Sequence, residues 1–192
     1  MALADKWHKP FCHENVPIGY ASRERSSRVA FRAGVSVGTL YQYFPNKRAL
    51  LQAALKRHLN EVTEAVERVC QEQRANSLAQ MATALVNAFL EAKMSDAKTS
   101  VALYSVNSDV DGAKIAQQLG VRSTQAIVGM LATAREPLMK DPQLVASILQ
   151  GAMAGVSRRL LESDAPEEHL DALRQELIFF VCAYLEARSA RT

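Results

Sequence analysis

The stretch "RAGVSVGTLYQYFPNK", residues 32–47, decides how this chain is read. Just before it, "RVAFRA" (28–33) places Val29, Ala30 and Ala33 at the three-to-four spacing of a short helix face. Gly34 then stands where a helix ends in a left-handed residue, a conformation that glycine adopts without strain. Val35 supplies an apolar plug for the turn, and Ser36 fits as the N-cap of a second helix. Leu40 and Phe44, four apart, face inward, while Val37, Gly38, Thr39, Gln42 and Tyr43 point elsewhere. Pro45 closes the segment. The pattern is helix, tight glycine turn, helix, and the second helix is rich in polar tips where a core helix would carry leucine.

Those outward groups suit DNA. The hydroxyls of Thr39 and Tyr41 can meet phosphate oxygens, and Gln42 can present a donor–acceptor pair to an adenine edge. Tyr43 offers a ring edge and a hydroxyl, and Val37 an apolar contact for a thymine methyl. Gly38 removes bulk where backbone and groove approach, and Lys47 opens the next helix with an ammonium in reach of the backbone. Charge follows the same division. Residues 1–60 hold ten Lys/Arg against three Asp/Glu, a net of +7, and residues 61–192 sum to −4. A basic end on a slightly acidic body suits a module that faces nucleic acid, although such asymmetry also arises on ordinary solvated surfaces.

The run "AFRAGVSVGTLYQYFPNKRALL" (30–51) resembles the DNA-binding domain of the tetracycline-repressor (TetR) family. The resemblance lies in the "AGVS" turn, the "GTLYQYF" recognition helix and the "NKRALL" start of the fourth helix of that domain. It implies a dimeric transcriptional repressor, released from double-stranded operator DNA by a small-molecule effector. It also implies that Val37, Gly38, Thr39, Tyr41, Gln42, Tyr43 and Lys47 occupy the DNA-contacting positions. One departure stands out. The family's head begins with an amphipathic helix, whereas "KWHKPFCHENVPIGY" (6–20) has Pro10 and Pro17 and no periodic apolar face. Residues 1 to about 22 are therefore expected to be irregular, and "RERSSR" (23–28) is charged where an apolar residue would pack. An alternative follows: a ligand-binding helical dimer with an impaired DNA-binding head.

Beyond Asn46 the period is helical, and the expected fold is all-α. Leu51, Leu55, Leu59, Val62, Val66 and Val69 mark one face of a long helix. Further helices are expected from Ser77, over residues 97–105, from Asp111 to Ala134, from Asp141–Pro142 as N-cap and first residue, and from Pro166 with Glu167 and Glu168 behind it. The expected division is a head, residues 1–50, and an effector-binding and dimerisation body, residues 51–192. In the last helix "LIFFVCAYL" (177–185) is apolar on nearly every side, and "GAMAG" (151–155) spaces two glycines four apart. A pair of helices packed on its own domain and on a second subunit fits this pattern; a central helix of a monomeric core is the alternative.

Other classes find less support. The longest apolar run falls far short of the ~20 residues of a membrane helix, and the amino terminus lacks a signal-like apolar segment. Three cysteines, Cys12, Cys70 and Cys182, without spacing suit reduced thiols, so the expected address is cytoplasmic. His8, Cys12 and His13 lack a fourth ligand at a zinc spacing, and no metal or cofactor is expected. His58 lies on the face with Leu55 and Leu59, as a core or pocket-edge histidine would. No nucleophile elbow, phosphate loop or acid–base pair points to an enzyme. Candidate lining for an effector cavity is Met81, Phe89, Tyr104, Gln125, Met130 and Met153, with Tyr104 and Gln125 as the polar members; each apolar one equally fits ordinary core.

Overall fold

The computed structural model describes residues 22–95, 97, 100–102, 112–163 and 165–190, with side chains from Ser27 onward. Seven helices of more than one turn are described: α1 (Ser22–Arg32), α2 (Val37–Tyr43), α3 (Lys47–Glu72), α4 (Leu78–Met94), α5 (Gly112–Leu131), α6 (Pro142–Leu161) and α7 (Pro166–Glu186). Among the described residues the sole extended pairing is an isolated bridge between Leu138 and Ser189, so the fold is all-α. Residues 100–102 are helical, inside the helix expected at 97–105. The segment holding Pro10 and Pro17 lies outside the described residues, and so do the expectations placed on it.

The helix starts follow local chemistry. Ser77 and Gln80 form a reciprocal capping box on α4, each side chain bonded to the other's backbone amide. Asp141 accepts from the Gln143 amide ahead of Pro142 at the start of α6. Helix α7 has no side-chain cap and relies on Pro166 and on Glu167 and Glu168 in its first turn. Helix α1 is helical throughout its described length from Ser22, so "RERSSR" (23–28) is helix, as arginine and glutamate favour.

The chain falls into two compact units. Met1–His58 with Lys98–Ile115 forms one, the head; Leu59–Ala97 with Ala116–Thr192 forms the other, the body. In the body the core is a single cluster. Val62, Val66, Val69 and Cys70 come from α3, Met81, Leu85, Val86 and Leu90 from α4, Ile127 and Met130 from α5, Val145, Leu149 and Met153 from α6, and Leu177, Val181 and Leu185 from α7. Burying one such side chain contributes roughly 1.5–3 kcal/mol, so this cluster dominates the stability of the unit.

Polar straps close the body's loops. Ala75 takes φ +60°, a conformation uncommon for a residue with a side chain, and neighbours hold it there. Its amide donates to Thr133 Oγ1 at 3.0 Å, and its carbonyl accepts from Arg135 Nε at 3.0 Å. The carboxylate of Glu136 accepts from the Leu78 amide at 2.9 Å, tying the α5–α6 loop to the start of α4. On the body's part of α3, Glu67 accepts a two-pronged ion pair from Arg122 of α5, at 2.7 and 3.0 Å, and Asn60 accepts from the same guanidinium at 2.8 Å. None of the described helices is long and apolar enough to cross a membrane.

Helix α6 provides an internal contrast. Leu149 is wholly buried, whereas Leu144 is 56% exposed. Leu149→Ala should lower unfolding free energy by about 2–5 kcal/mol. Leu144→Ala should change it by less than about 0.5 kcal/mol within a single chain. Urea melts of the two variants check both values.

Candidate functional site

The head is built around few side chains. Ala30 and Ala33 of α1, Leu40 of α2 and Leu50 of α3 are buried together, with Val29, Val35, Val37 and Phe44 partly buried against them. Two alanines at three-residue spacing let α2 lie close on α1. Phe31 is 85% exposed, so it does not share in this core. Next in sequence to Ala30, it sits about 100° around the helix from that buried position.

The turn has the hydrogen bonds of a Schellman motif. The Gly34 amide donates to Phe31 O and the Val35 amide to Ala30 O, both at 3.0 Å, with Gly34 at φ +68°. A Cβ at Gly34 would meet no atom within 4 Å, so the requirement for glycine comes from backbone conformation alone. Ser36, extended at φ −73° and ψ 155°, caps α2 by accepting from the Thr39 amide at 3.0 Å. Helix α2 ends where the Phe44 amide bonds to Leu40 O, and Asn46 Oδ1 accepts from the Ala49 amide to start α3. The Asn46 cap was readable in the sequence as a short polar residue just before a helical run.

Of the seven residues of α2, Leu40 is the one that is buried. Gly38, Tyr41, Gln42 and Tyr43 are exposed, as is Lys47 just beyond, while Val37 and Thr39 are half-buried. Thr39 Oγ1 lies 2.8 Å from Ser36 Oγ. When Ser36 donates in that pair, the Thr39 hydroxyl hydrogen is left to point outward to an anionic oxygen. The candidate residues thus share one short helix and the start of the next, and Thr39, Tyr41, Gln42, Tyr43 and Lys47 among them carry hydrogen-bonding side chains.

The effector candidates divide differently. Met81, Phe89, Met130 and Met153 all belong to the close-packed core of the body. Gln125 is exposed, and Tyr104 lies outside the described residues. An open groove of about 490 Å3 runs along α4, lined by Gln73, Ala79, Gln80, Thr83, Ala84 and Asn87, and none of the candidates lines it. Among the described residues no three His, Cys, Asp or Glu side chains are grouped to hold a metal; His8, Cys12 and His13 lie outside them. Burial, with Glu67 behind it, pushes the Cys70 thiol up to about 12, and burial raises Cys182 as well, so neither thiol is an activated nucleophile. His58 is buried and hydrogen-bonded to Ser100, forty-two residues away, a pairing that no local sequence signal announces.

Comparison with known proteins agrees with this architecture. Residues 25–54 match the family model for bacterial regulatory proteins of the tetR family, and residues 77–185 match that for the tetracyclin repressor-like C-terminal domain. No curated protein matches the sequence. Among solved structures, a protein assigned to the TetR family from Mesorhizobium loti MAFF303099 is similar at a TM-score of 0.73 and 16% identity, over 98% of this chain and 95% of that one. The TetR-family repressor AlkX from Dietzia sp. strain DQ12-45-1b, implicated in biodegradation of n-alkanes, is similar at 0.61 and 19%, over 98% and 97%. FadR from Bacillus subtilis, solved with stearoyl-CoA, is similar at 0.63 and 15%, over 94% and 96%. At these identities the likeness is one of fold.

The positive φ of Gly34 sets a test. Gly34→Ala should destabilise the head by about 1 kcal/mol, the left-handed penalty less the unfolded-state gain. Asparagine at the same position should cost less. Thermal unfolding of the two variants would rank them.

Proposed function

The chain belongs to the tetracycline-repressor (TetR) family, and from that premise we propose that it is a homodimeric repressor released from its operator by a small molecule. The observation that carries the reading is α2, a capped helix in which Leu40 is fully buried, Val37 and Thr39 are half-buried, and Gly38, Tyr41, Gln42 and Tyr43 are exposed. We assign Gln42 and Tyr43 to base edges, Val37 to a thymine methyl, and Thr39, Tyr41 and Lys47 to the phosphate backbone, with Gly38 allowing close approach. The reading has no catalytic role for any residue.

Dimerisation is supported by the outer face of α6 and α7. Ile148 is 44% exposed, Phe180 48% and Phe179 70%, large apolar side chains of the kind a subunit interface covers. A Cβ at Gly151 or Gly155 would meet nothing within 4 Å, which leaves room for another backbone. A two-fold dimer would place two heads on half-sites one or more helical turns apart, ~34–36 Å per turn. For the effector, likeness of fold to a regulator solved with stearoyl-CoA and to one implicated in n-alkane degradation makes apolar-chain compounds the first class to screen.

Binding to duplex DNA from upstream of the protein's own gene, followed by fluorescence anisotropy, tests the reading. Tyr43→Ala and Thr39→Ala should weaken binding while helix content stays unchanged. A lost base contact should cost ~1–3 kcal/mol, and a lost phosphate contact should act across all sequences. Equal loss of helical signal and of binding in both variants would refute the assignment. Phe180→Arg places a charge in the apolar seam and should give monomers or aggregates; a stable wild-type monomer at micromolar concentration in sedimentation would overturn the dimer.

A further inference from the structure

Helix α3 is continuous from Lys47 to Glu72, yet the compact units part between His58 and Leu59. The chain leaves the head there, builds α4 in the body, and returns to the head at Lys98. On the return Ser100 is completely buried, and its Oγ lies 2.9 Å from Nε2 of His58, itself 3% exposed. The hydroxyl donates or accepts according to the imidazole tautomer.

A buried polar pair calls for a physical reason. Burial strips both groups of water, and an apolar pair of similar volume would fill the space without that cost. What the hydrogen bond adds is direction. It weakens steeply as angle or distance departs from a narrow range, whereas apolar packing tolerates small slides. The bond therefore fixes the register of α3 against the turn at residues 100–102.

That register matters at the far end of the helix. At 1.5 Å per residue, Lys47 lies ~16 Å along α3 from His58, so a tilt of about 10° at His58 displaces Lys47 by about 3 Å. Such a shift exceeds the tolerance of a hydrogen bond to a phosphate or a base. Leu50, on the same stretch, is one of the side chains against which Leu40 seats, so α2 follows α3.

We propose that the His58–Ser100 bond is a pin that holds the head's part of α3, and with it α2, in the posture that binds DNA. His58 and Ser100 are then positioning residues for DNA binding, an inference that rests on the DNA-binding reading above.

Replacing the pair by His58→Leu with Ser100→Ala keeps it buried and removes the directional bond. This variant should melt at or above the wild-type temperature, yet bind duplex DNA at least fivefold more weakly. His58→Gln, whose amide can still meet the Ser100 hydroxyl, should retain more affinity than His58→Leu. Wild-type affinity in the apolar pair, or equal affinity for the Gln and Leu variants, would overturn the pin. Hydrogen exchange without DNA separates this inference from the reading beneath it. If wild-type protein failed to bind any duplex, the DNA-binding reading would fall. Faster exchange over residues 47–55 in the apolar pair would still support the pin, and unchanged exchange would refute it.

Discussion

Helix α2 has seven residues and buries one, so its attachment to the protein depends on how Leu40 is seated. The seat consists of Ala30, Ala33 and Leu50, two small side chains on α1 and one large one on α3. Small residues on α1 let the two helices approach, and the left-handed Gly34 turns the chain between them within four residues. A helix this short gains little from its own hydrogen bonds. Its caps, Ser36 before and Phe44 after, and Leu40 with the half-buried Val37 and Phe44 beside it fix its place. The remaining faces are thereby left to whatever α2 meets outside the chain.

The body uses the opposite strategy. Five helices contribute to one continuous apolar cluster, and its loops are tied by side-chain bonds to backbone groups rather than left to solvent. Such close packing accounts for where Met81, Phe89 and Met130 lie: methionine and phenylalanine fill irregular space between helices whether or not a ligand is nearby. Among the large apolar side chains left exposed in the body, Leu144, Ile148, Phe179 and Phe180 fall on α6 and α7, together with two glycines that have open space around them, while Val121 lies on α5 and Met139 in the loop before α6. Helix α7 buries Leu177, Val181 and Leu185 and leaves Phe179 and Phe180 exposed.

Several polar side chains tie distant segments of this protein together. Thr124 and Gln150 join α5 to α6, with the Gln150 amide donating to Gly120 O at 3.0 Å. Arg122 holds α3 and α5 together in the body through Glu67 and Asn60. His58 and Ser100 do the same for α3 and the returning chain in the head. All of these bonds join segments far apart in sequence. Directional bonds at such places set register, where apolar contacts alone would allow several.

Much of this was legible in the residues alone. The all-α class, the glycine turn, the Ser36 cap, the inward Leu40 and the starts of α4, α6 and α7 all follow from spacing and capping chemistry, which act over a few residues. Family resemblance was legible for the same reason, since the motif at residues 30–51 is contiguous. Other features are settled by contacts that no local pattern encodes. Period alone put Met81 and Met130 on inward faces but could not say whether they met a cavity or each other's neighbours. It gave no reason for Phe31 to be exposed, because which side of a short helix is covered depends on what the helix packs against. The pairing of His58 with Ser100 lies furthest from view. Local sequence determines how each helix begins, ends and turns its apolar face; tertiary structure decides which distant polar groups meet, because that depends on how forty intervening residues bring the chain back.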